Sequence, residues 1–466
     1  MLPEDRTRRE LILLATTEAW ERFSYYGIRG LLVLFFTASA ATGGMEWSRD
    51  TALQVLGWFV ALVYLLPVAG GWCGDRLMGS QRAVRMGAAV LIVAYGLLAA
   101  SAWLQQSAHT SSRCAAAAGS GAIDALVRSG LNSRTLMFAA LALIAVGTGL
   151  FKPNITALVG RLYQKNDPAR EGGFLLFYVF MNIGVVLCGL VIGTLGERVA
   201  WHFGFLAAAF AMILSVIVFS LSRSNSSEWR AAEVVQRRTD TSQSIPLNNG
   251  ERAAIAILAI LGVFATLFWV GLEQTAGLLN LFAFRHTQRE FLGMTIPATW
   301  FQSLNPLFVF MLAPAFTVLW RRLATRGADP RTEWKFVLGL VAMACAFAVM
   351  SLAAQKPGDD SLANPGWLIA TYFLLTVSEL CIWTISLAAV TRLSPRRHEG
   401  LIIGLWYLAI AIGGWCAGQI GALTVRIPMD EVFALLGKMF LVGAFLLAAV
   451  APVTGRLARR AASVQG

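Results

Sequence analysis

The sequence predicts an all-α integral membrane protein with twelve transmembrane helices, arranged as two six-helix bundles with both termini in the cytoplasm. The first observation is composition: of 466 residues, 57% are hydrophobic and 14% are charged, with a mean hydropathy of +0.64. Soluble domains carry about 25% charged residues, so this balance is typical of a membrane protein. The other two observations are the recurrence of apolar stretches of spanning length and the uneven placement of the cations.

Twelve apolar stretches reach the roughly 20 residues that a helix needs to cross a bilayer. They are residues 11–36, 52–74, 83–104, 135–160, 172–196, 201–222, 253–283, 299–320, 334–354, 364–392, 399–425 and 431–456. The first stretch follows the polar sequence PEDRTRRE, is too long for the apolar region of a signal peptide and has no obvious small-residue cleavage site. We therefore expect it to be the first span.

Lysine and arginine indicate how these spans are oriented. If the N-terminus is cytoplasmic, most of the 38 lysine and arginine residues fall in loops on the inner side, as the positive-inside rule requires. The net charge of +12 is then mainly a consequence of topology, and a nucleic-acid partner is the weaker interpretation. We expect a multi-pass protein of the cytoplasmic (inner) membrane whose partner is the lipid bilayer, and a monomer is compatible with this.

A polar stretch rich in Ser, Arg and Asn divides the spans six and six. It predicts an N-terminal bundle at 1–222, a cytoplasmic linker at 223–252 and a C-terminal bundle at 253–466. Two six-span halves are typical of secondary transporters, which bind substrate near the midplane. The loop GGWCGDRLMGSQRAVR after span two matches the loop signature of the major facilitator superfamily. Its Asp75 and Arg76 could link helix ends and stabilise one conformation, and a tight polar turn fits them equally.

Other classes of protein are disfavoured by what the sequence lacks. The six cysteines form no CxxC pair, and the four histidines show no metal-ligand spacing on a shared helix. No P-loop and no Ser–His or Cys–His arrangement supports an enzyme. We therefore expect no enzymatic activity, no metal and no cofactor, and charges in both halves disfavour a continuous channel.

Span one carries charges that lipid would not tolerate. Within EAWERFSYYGIRG, Glu18, Glu21, Arg22, Tyr25 and Arg29 recur at helical spacing and share one face. A charged residue at the bilayer centre costs about 2.5–3.5 kcal/mol, so this face must contact protein or a wet cavity. Glu18 and Arg22 are spaced for an intrahelical pair, and a buried ion-pair network that fixes helix register is the structural alternative.

Ionisable residues in other spans favour a functional interpretation. Lys152 lies in span four, Glu273 in span seven and Glu379 in span ten. If the two halves pack face to face, these charges converge on one central cavity. A purely structural network would not need acids on both halves.

The side chains of this predicted cavity suit a short peptide. Arg29 and Lys152 can hold a carboxylate and Glu379 an ammonium group, while Asn182 and Asn305 offer the mixed donors and acceptors that an amide bond needs. The candidates for the walls of apolar side pockets are Tyr25, Tyr26, Tyr64, Trp269 and Trp406. For each aromatic residue taken singly, core packing or an interfacial anchor is an equally good alternative.

Three motifs resemble those of the proton-dependent oligopeptide transporter family of the major facilitator superfamily. EAWERFSYYG resembles the first-helix motif ExxERFxYYG, GTGLFKPNITALVG is similar to the fourth-helix signature, and FYVFMNIG is similar to the fifth-helix signature FYxxINxG. The resemblance implies symport of di- and tripeptides with protons. It also implies that Glu18, Glu21 and Arg22 couple proton movement with Lys152 as their ionic partner. By the same resemblance, Glu273 is a proton-sensitive acid near Arg29, and Glu379 binds the peptide amino group. Met181, Val185 and Trp383 depart from the family's usual residues, which bears on substrate range.

We expect coupling to follow from competition for partners. Ionised Glu21 would pair with Lys152, and protonation of Glu21 would release that lysine for a peptide carboxylate. Glu273 would use Arg29 in the same way. A nitrate, small-anion or drug transporter on the same scaffold is the open alternative, although an acid such as Glu379 in the cavity repels anions.

Overall fold

The computed structural model describes residues 4–114, 132–163, 169–222, 248–355, 362–394 and 399–462. Residues 223–247 of the predicted linker 223–252 lie outside the described residues. Residues 115–131, which precede span four, also lie outside them.

Thirteen α-helices occupy most of the described chain. The first six are α1 Glu4–Thr37, α2 Arg49–Cys73, α3 Ser80–Cys114, α4 Ser133–Gly160, α5 Ala169–Cys188 and α6 Trp201–Leu221. The next seven are α7 Asn249–Leu272, α8 Leu278–His286, α9 Leu304–Thr325, α10 Thr332–Ala354, α11 Gly366–Leu393, α12 Glu399–Ala422 and α13 Met429–Ala462. A two-stranded antiparallel hairpin, β1 Glu290–Phe291 and β2 Met294–Thr295, follows α8.

Short turns of tighter or wider helix extend several of these elements. Wider π-helical turns follow α2 at Gly74–Met78 and α5 at Gly189–Gly193 and Leu195–Val199. Tighter 3₁₀ turns follow α7 at Glu273–Thr275 and precede α9 at Ala298–Ser303. Because the chain stays helical through Glu273–Thr275, α7 and α8 form one broken span.

Eleven helical segments within the described ranges are long and apolar enough to cross a membrane. The twelfth long helix, α1, is less apolar because Glu21, Arg22 and Arg29 lie within its otherwise hydrophobic half. Together these segments match the twelve predicted spans in order. The prediction of an all-α membrane protein with twelve long helices is confirmed.

The chain folds as two compact units. Unit 1 comprises Met1–Ala52, Leu62–Thr241 and Ile296–Ser303. Unit 2 comprises Leu53–Ala61, Ser242–Thr295 and Leu304–Gly466. The predicted bundles at 1–222 and 253–466 remain a sequence-based division.

Each unit is built around helix packing with its own apolar core. In unit 1, α1 packs on α5 and α6, and α3 packs on α4 and α6; Phe35 meets Phe205 edge to face with ring centroids 5.3 Å apart. In unit 2, α10 packs on α11 and α13, while α7 packs on α12 and α13. There Phe347 stacks on Phe440 with centroids 5.4 Å apart.

A close approach of two glycines sets the crossing of α2 and α4. A Cβ atom added to Gly70 would collide with the carbonyl group of Gly149, which is backbone and cannot rotate away. Next to this crossing, Asn154 Nδ2 donates to the carbonyl oxygen of Gly70 at 3.1 Å and to that of Leu150 at 2.8 Å. The crossing therefore fixes the part of α4 that carries Lys152.

Gly70→Ala is expected to destabilise unit 1 because α2 and α4 would have to separate to admit the methyl group. Overpacking of this kind costs about 1–3 kcal/mol. Thermal unfolding of the purified protein in detergent should show a lower midpoint than the wild type. Gly96→Ala in α3 is the matched control, because nothing lies within 4 Å of its added Cβ. Equal midpoints for the two variants would contradict the close approach.

Candidate functional site

Two buried acids on α1 share one arginine. Arg22 Nε donates to Glu18 Oε1 at 2.8 Å, as the four-residue spacing predicts. The same nitrogen lies 3.5 Å from Glu21 Oε2. Both glutamates are fully buried, and neither Glu21 oxygen has a hydrogen-bond partner among the residues that the structure describes. Two carboxylates thus compete for one guanidinium, a buried arrangement that a proton can relieve.

Lys152 lies on α4 and is only 6% exposed. Its Nζ lies 4.2 Å from the ring centroid of Tyr25 and 4.9 Å from that of Tyr64. Within the described ranges, no group accepts a hydrogen bond from this Nζ. Cation–π contacts stabilise an ammonium group at a buried site but leave its three N–H donors available.

The structure therefore differs from the expected Glu21–Lys152 pair. Glu21 contacts Arg22 of its own helix, whereas Lys152 lies over two tyrosine rings. Arg22 is nonetheless near enough to Lys152 to act on it electrostatically, and so are Glu21, Glu18 and Arg29. The lysine is thus held beside the acids without a direct ion pair to either.

Arg29 lies further along the same face of α1. It is buried, and its guanidinium carbon lies 5.5 Å from the ring centroid of Tyr26. Tyr26 in turn meets Tyr25 edge to face, with centroids 5.2 Å apart. Unit 1 thus brings the predicted residues of α1 together with Lys152 and Tyr64 in one cluster.

In unit 2, Glu379 on α11 is held by an amide. Asn305 Nδ2 donates to Glu379 Oε2 at 2.8 Å and lies 3.1 Å from Thr376 Oγ1. The two N–H groups of one amide thus serve both acceptors, which fixes one oxygen of the Glu379 carboxylate in direction. The sequence predicts both Asn305 and Glu379 as site residues, but it does not predict that they contact each other.

Glu273 lies at the break between α7 and α8. Its side chain is buried, and the neighbouring Gln274 donates from Nε2 to the carbonyl oxygen of Ala417 at 3.1 Å. A small cavity in unit 2 borders both residues and is lined by glycines that include Gly57 and Gly418. An acid at an interruption of a spanning helix is a typical position for an ion-binding group.

The remaining predicted residues are dispersed. Trp269 meets Trp383 edge to face at 5.1 Å, and Trp406 is buried against α7 near Gly262. Asn182 donates from Nδ2 to the carbonyl oxygen of Tyr178, within its own helix, at 2.9 Å. Asp75 and Arg76 are exposed in the π-helical turn after α2.

Sequence reasoning missed Thr376 and Glu197. Thr376 precedes Glu379 by one helical turn, and that spacing is a signal that could have found it. Glu197 accepts hydrogen bonds from Ala298 N at 2.8 Å, Thr299 N at 2.9 Å and Thr299 Oγ1 at 2.7 Å. It thereby caps the 3₁₀ turn before α9, and no local signal connects residues a hundred positions apart.

Comparison with known proteins assigns this chain to a family. A model of PTR2, the POT family, matches residues 81–233 and 241–442, which is more than half of the chain. This chain belongs to the POT family. The resemblance indicated by the helix motifs is confirmed, and this POT protein is a multi-pass membrane transporter rather than an enzyme.

Relatives with assigned names extend over nearly the whole chain. The peptide transporter YePEPT of Yersinia enterocolitica is 31% identical, over 94% of this chain and 93% of its own length. Dipeptide and tripeptide permease A of Chromobacterium violaceum is 29% identical, over 90% of this chain and 86% of its own.

Solved structures agree in fold. A crystal structure of a peptide transporter POT in complex with sulfate superposes with a TM-score of 0.81 at 29% identity, covering 96% of this chain and 95% of the other. The major facilitator superfamily fold predicted from the sequence is therefore confirmed.

Proposed function

We propose that this POT protein is a proton-coupled symporter that imports di- and tripeptides across the cytoplasmic membrane by alternating access. The names of the relatives support the cargo, since they include a peptide transporter and a dipeptide and tripeptide permease. The side chains described above support the individual roles.

The observation that carries the proposal is the environment of Lys152. A buried ammonium group with aromatic contacts and no hydrogen-bond acceptor within the described ranges is suited to an incoming anion. A peptide carboxylate supplies both the charge and the acceptor oxygens. Arg29, buried on the same face of α1 as Tyr25, is the second candidate for this carboxylate.

Glu379 takes the ammonium end of the peptide in this proposal. Asn305 fixes the carboxylate through one hydrogen bond of 2.8 Å, and a second acceptor oxygen serves the substrate. Asn182 and the aromatic residues Tyr26, Tyr64, Trp269 and Trp406 remain candidates for contacts to the peptide bond and side chains.

Proton coupling is assigned to Glu18, Glu21, Arg22 and Glu273. When Glu21 is ionised, it competes with Glu18 for Arg22 and stabilises the charge of Lys152 electrostatically. Protonation of Glu21 removes that competition and also removes a negative charge near Lys152, which the carboxylate of the peptide then replaces. Glu273, buried at a helix break, is the corresponding acid of unit 2.

Asp75 and Arg76 are assigned to gating rather than to substrate. Both side chains are exposed and lie in the turn that ends the second span. Such a position suits contacts that form in one conformation and break in another.

Uptake of a labelled dipeptide into proteoliposomes, with and without an inward proton gradient, tests this function. Gradient-driven accumulation is the expected result. Counterflow exchange without accumulation would support the cargo and contradict proton coupling. If neither accumulation nor exchange occurs, the peptide assignment is wrong, and uptake of labelled nitrate into the same proteoliposomes then tests the anion alternative.

A further inference from the structure

The hairpin between α8 and α9 presents bulky apolar side chains at its tip. In it Phe291 pairs with Met294, and Leu292 and Gly293 form the turn. The exposed fractions are 63% for Phe291, 85% for Leu292 and 59% for Met294. Elsewhere such exposure is expected on spanning helices, where lipid covers the side chains, but these three residues lie in a loop.

The turn residue Leu292 is poorly suited to its backbone conformation. Its φ is 49° and that of Gly293 is 75°. Two-residue hairpin turns with positive φ strongly favour Asn, Asp and Gly at both positions, and a bulky residue there is an outlier. Since almost none of the Leu292 side chain is buried within the protein, it adds no hydrophobic stabilisation to the fold.

The base of the hairpin is fixed. Gln288 N donates to the carbonyl oxygen of Ala363 at 2.8 Å, and Ala363 N donates to that of His286 at 2.7 Å. Arg289 Nη2 donates to the carbonyl oxygen of Phe284 at 3.2 Å. Leu362, next to Ala363, adds a further apolar side chain that is 56% exposed. The tip is therefore held in a defined position at the end of α8.

That position lies at the boundary of two spans. One candidate span ends at His286 and the next begins at Ala298, so the hairpin occupies the short connection between them. Two-residue strands advance the chain by about 7 Å, at about 3.4 Å per residue. The headgroup region on each side of a bilayer is about 5–7 Å thick. A hairpin that starts at the end of a span thus stays within reach of the headgroups.

We propose that the tip, Phe291, Leu292 and Met294, inserts into the headgroup–acyl boundary of the bilayer and anchors the α8–α9 connection to the adjacent leaflet. The partner is the phospholipid surface, because the tip directly follows the end of a spanning helix, where the bilayer surface lies. Burial in lipid covers apolar side chains that water would leave exposed. It also accounts for a leucine at a turn position that favours asparagine.

Photo-crosslinking in vesicles tests this anchor. Benzoylphenylalanine is placed at position 291, and the protein is reconstituted into vesicles of phosphatidylethanolamine and phosphatidylglycerol. After irradiation, we expect an intact mass increased by one phospholipid. The matched control carries the same probe at the neighbouring position 290, where we expect several-fold less lipid adduct. Equal yields at the two positions, or no lipid adduct, would overturn the proposal. A covalent dimer in place of the adduct would assign the tip to a second copy of the chain.

A second variant separates anchoring from hairpin folding. Leu292→Asn suits the positive φ, so thermal unfolding in detergent should be unchanged or occur at a higher temperature. In vesicles, the same substitution should lower the lipid adduct at position 291 several-fold, because the tip loses its most exposed apolar side chain. Leu292→Met, which keeps an apolar side chain, should retain the adduct. An adduct that Leu292→Asn does not reduce would contradict the role of Leu292 as an anchor.

Discussion

Glu21→Gln is expected to abolish gradient-driven accumulation of a dipeptide in proteoliposomes and to leave counterflow exchange near the wild-type rate. Glutamine has nearly the shape of a protonated glutamate but cannot take up or release a proton. Glu21 is fully buried, and its ionic contact to Arg22 is long, at 3.5 Å. A carboxylate stabilised so weakly in a buried site is a suitable proton carrier.

Exchange should survive because the rest of the cluster has its own contacts. Arg22 keeps Glu18 as its partner, with Nε 2.8 Å from the carboxylate. Lys152 keeps the rings of Tyr25 and Tyr64, at 4.2 and 4.9 Å. The variant therefore imitates the protonated state, in which Lys152 is available to the peptide.

Glu46→Gln is the matched control for this experiment. It makes the same chemical change in an exposed loop, so accumulation should match the wild type. Driven accumulation by Glu21→Gln at the wild-type rate would rule out Glu21 as the coupling acid. Loss of exchange together with accumulation would instead indicate a role in binding or folding, and thermal unfolding of the purified variant distinguishes these two.

The sequence could predict the contacts that helical spacing determines. Glu18 and Arg22 are four residues apart on one helix, and their ion pair follows from that geometry alone. The spans were predictable for a similar reason, because apolar length is a local property. Lys152 was correctly placed in the same cluster as the acids of α1, since a lysine within a span must contact protein.

The group that each buried charged side chain contacts could not be predicted. Whether Lys152 meets Glu21 or the rings of Tyr25 and Tyr64 depends on how α2 and α4 cross, and Gly70 and Gly149 set that crossing through backbone contact. The break at Glu273 was missed because apolar residues flank the polar triplet Glu273–Thr275 on both sides, so the whole stretch has the length and composition of a single span. The apolar turn at Leu292 was missed because a leucine there contradicts local turn preferences.

Glu379→Gln is expected to weaken binding of a dipeptide with a free amino group by roughly tenfold to a hundredfold. A hydrogen bond to a charged group contributes about 1.5–3 kcal/mol, and each 1.4 kcal/mol corresponds to about a tenfold change in affinity. The same peptide with an acetylated amino group cannot form the ion pair, so its affinity should change little. Competition against a labelled dipeptide in proteoliposomes measures both affinities.

Two variants test whether binding depends on the charge of the Glu379 carboxylate or on the orientation that Asn305 gives it. Glu379→Asp keeps the charge on a shorter side chain and should recover part of the affinity that Glu379→Gln loses. Asn305→Ala removes the donor that lies 2.8 Å from Glu379 Oε2 but leaves the carboxylate in place. Its affinity for free-amine peptides should therefore lie between that of the wild type and that of Glu379→Gln.

The comparison between the two peptides decides the assignment, because damage to the fold would weaken both. Equal losses for the free-amine and acetylated peptides would mean that Glu379 supports the structure and does not contact the amino group. A selective loss for the free-amine peptide in Glu379→Gln, reduced in Glu379→Asp, would identify the carboxylate as the amino-group site. Asn305 would then be the residue that positions it, since the amide holds one oxygen and leaves the other to the peptide.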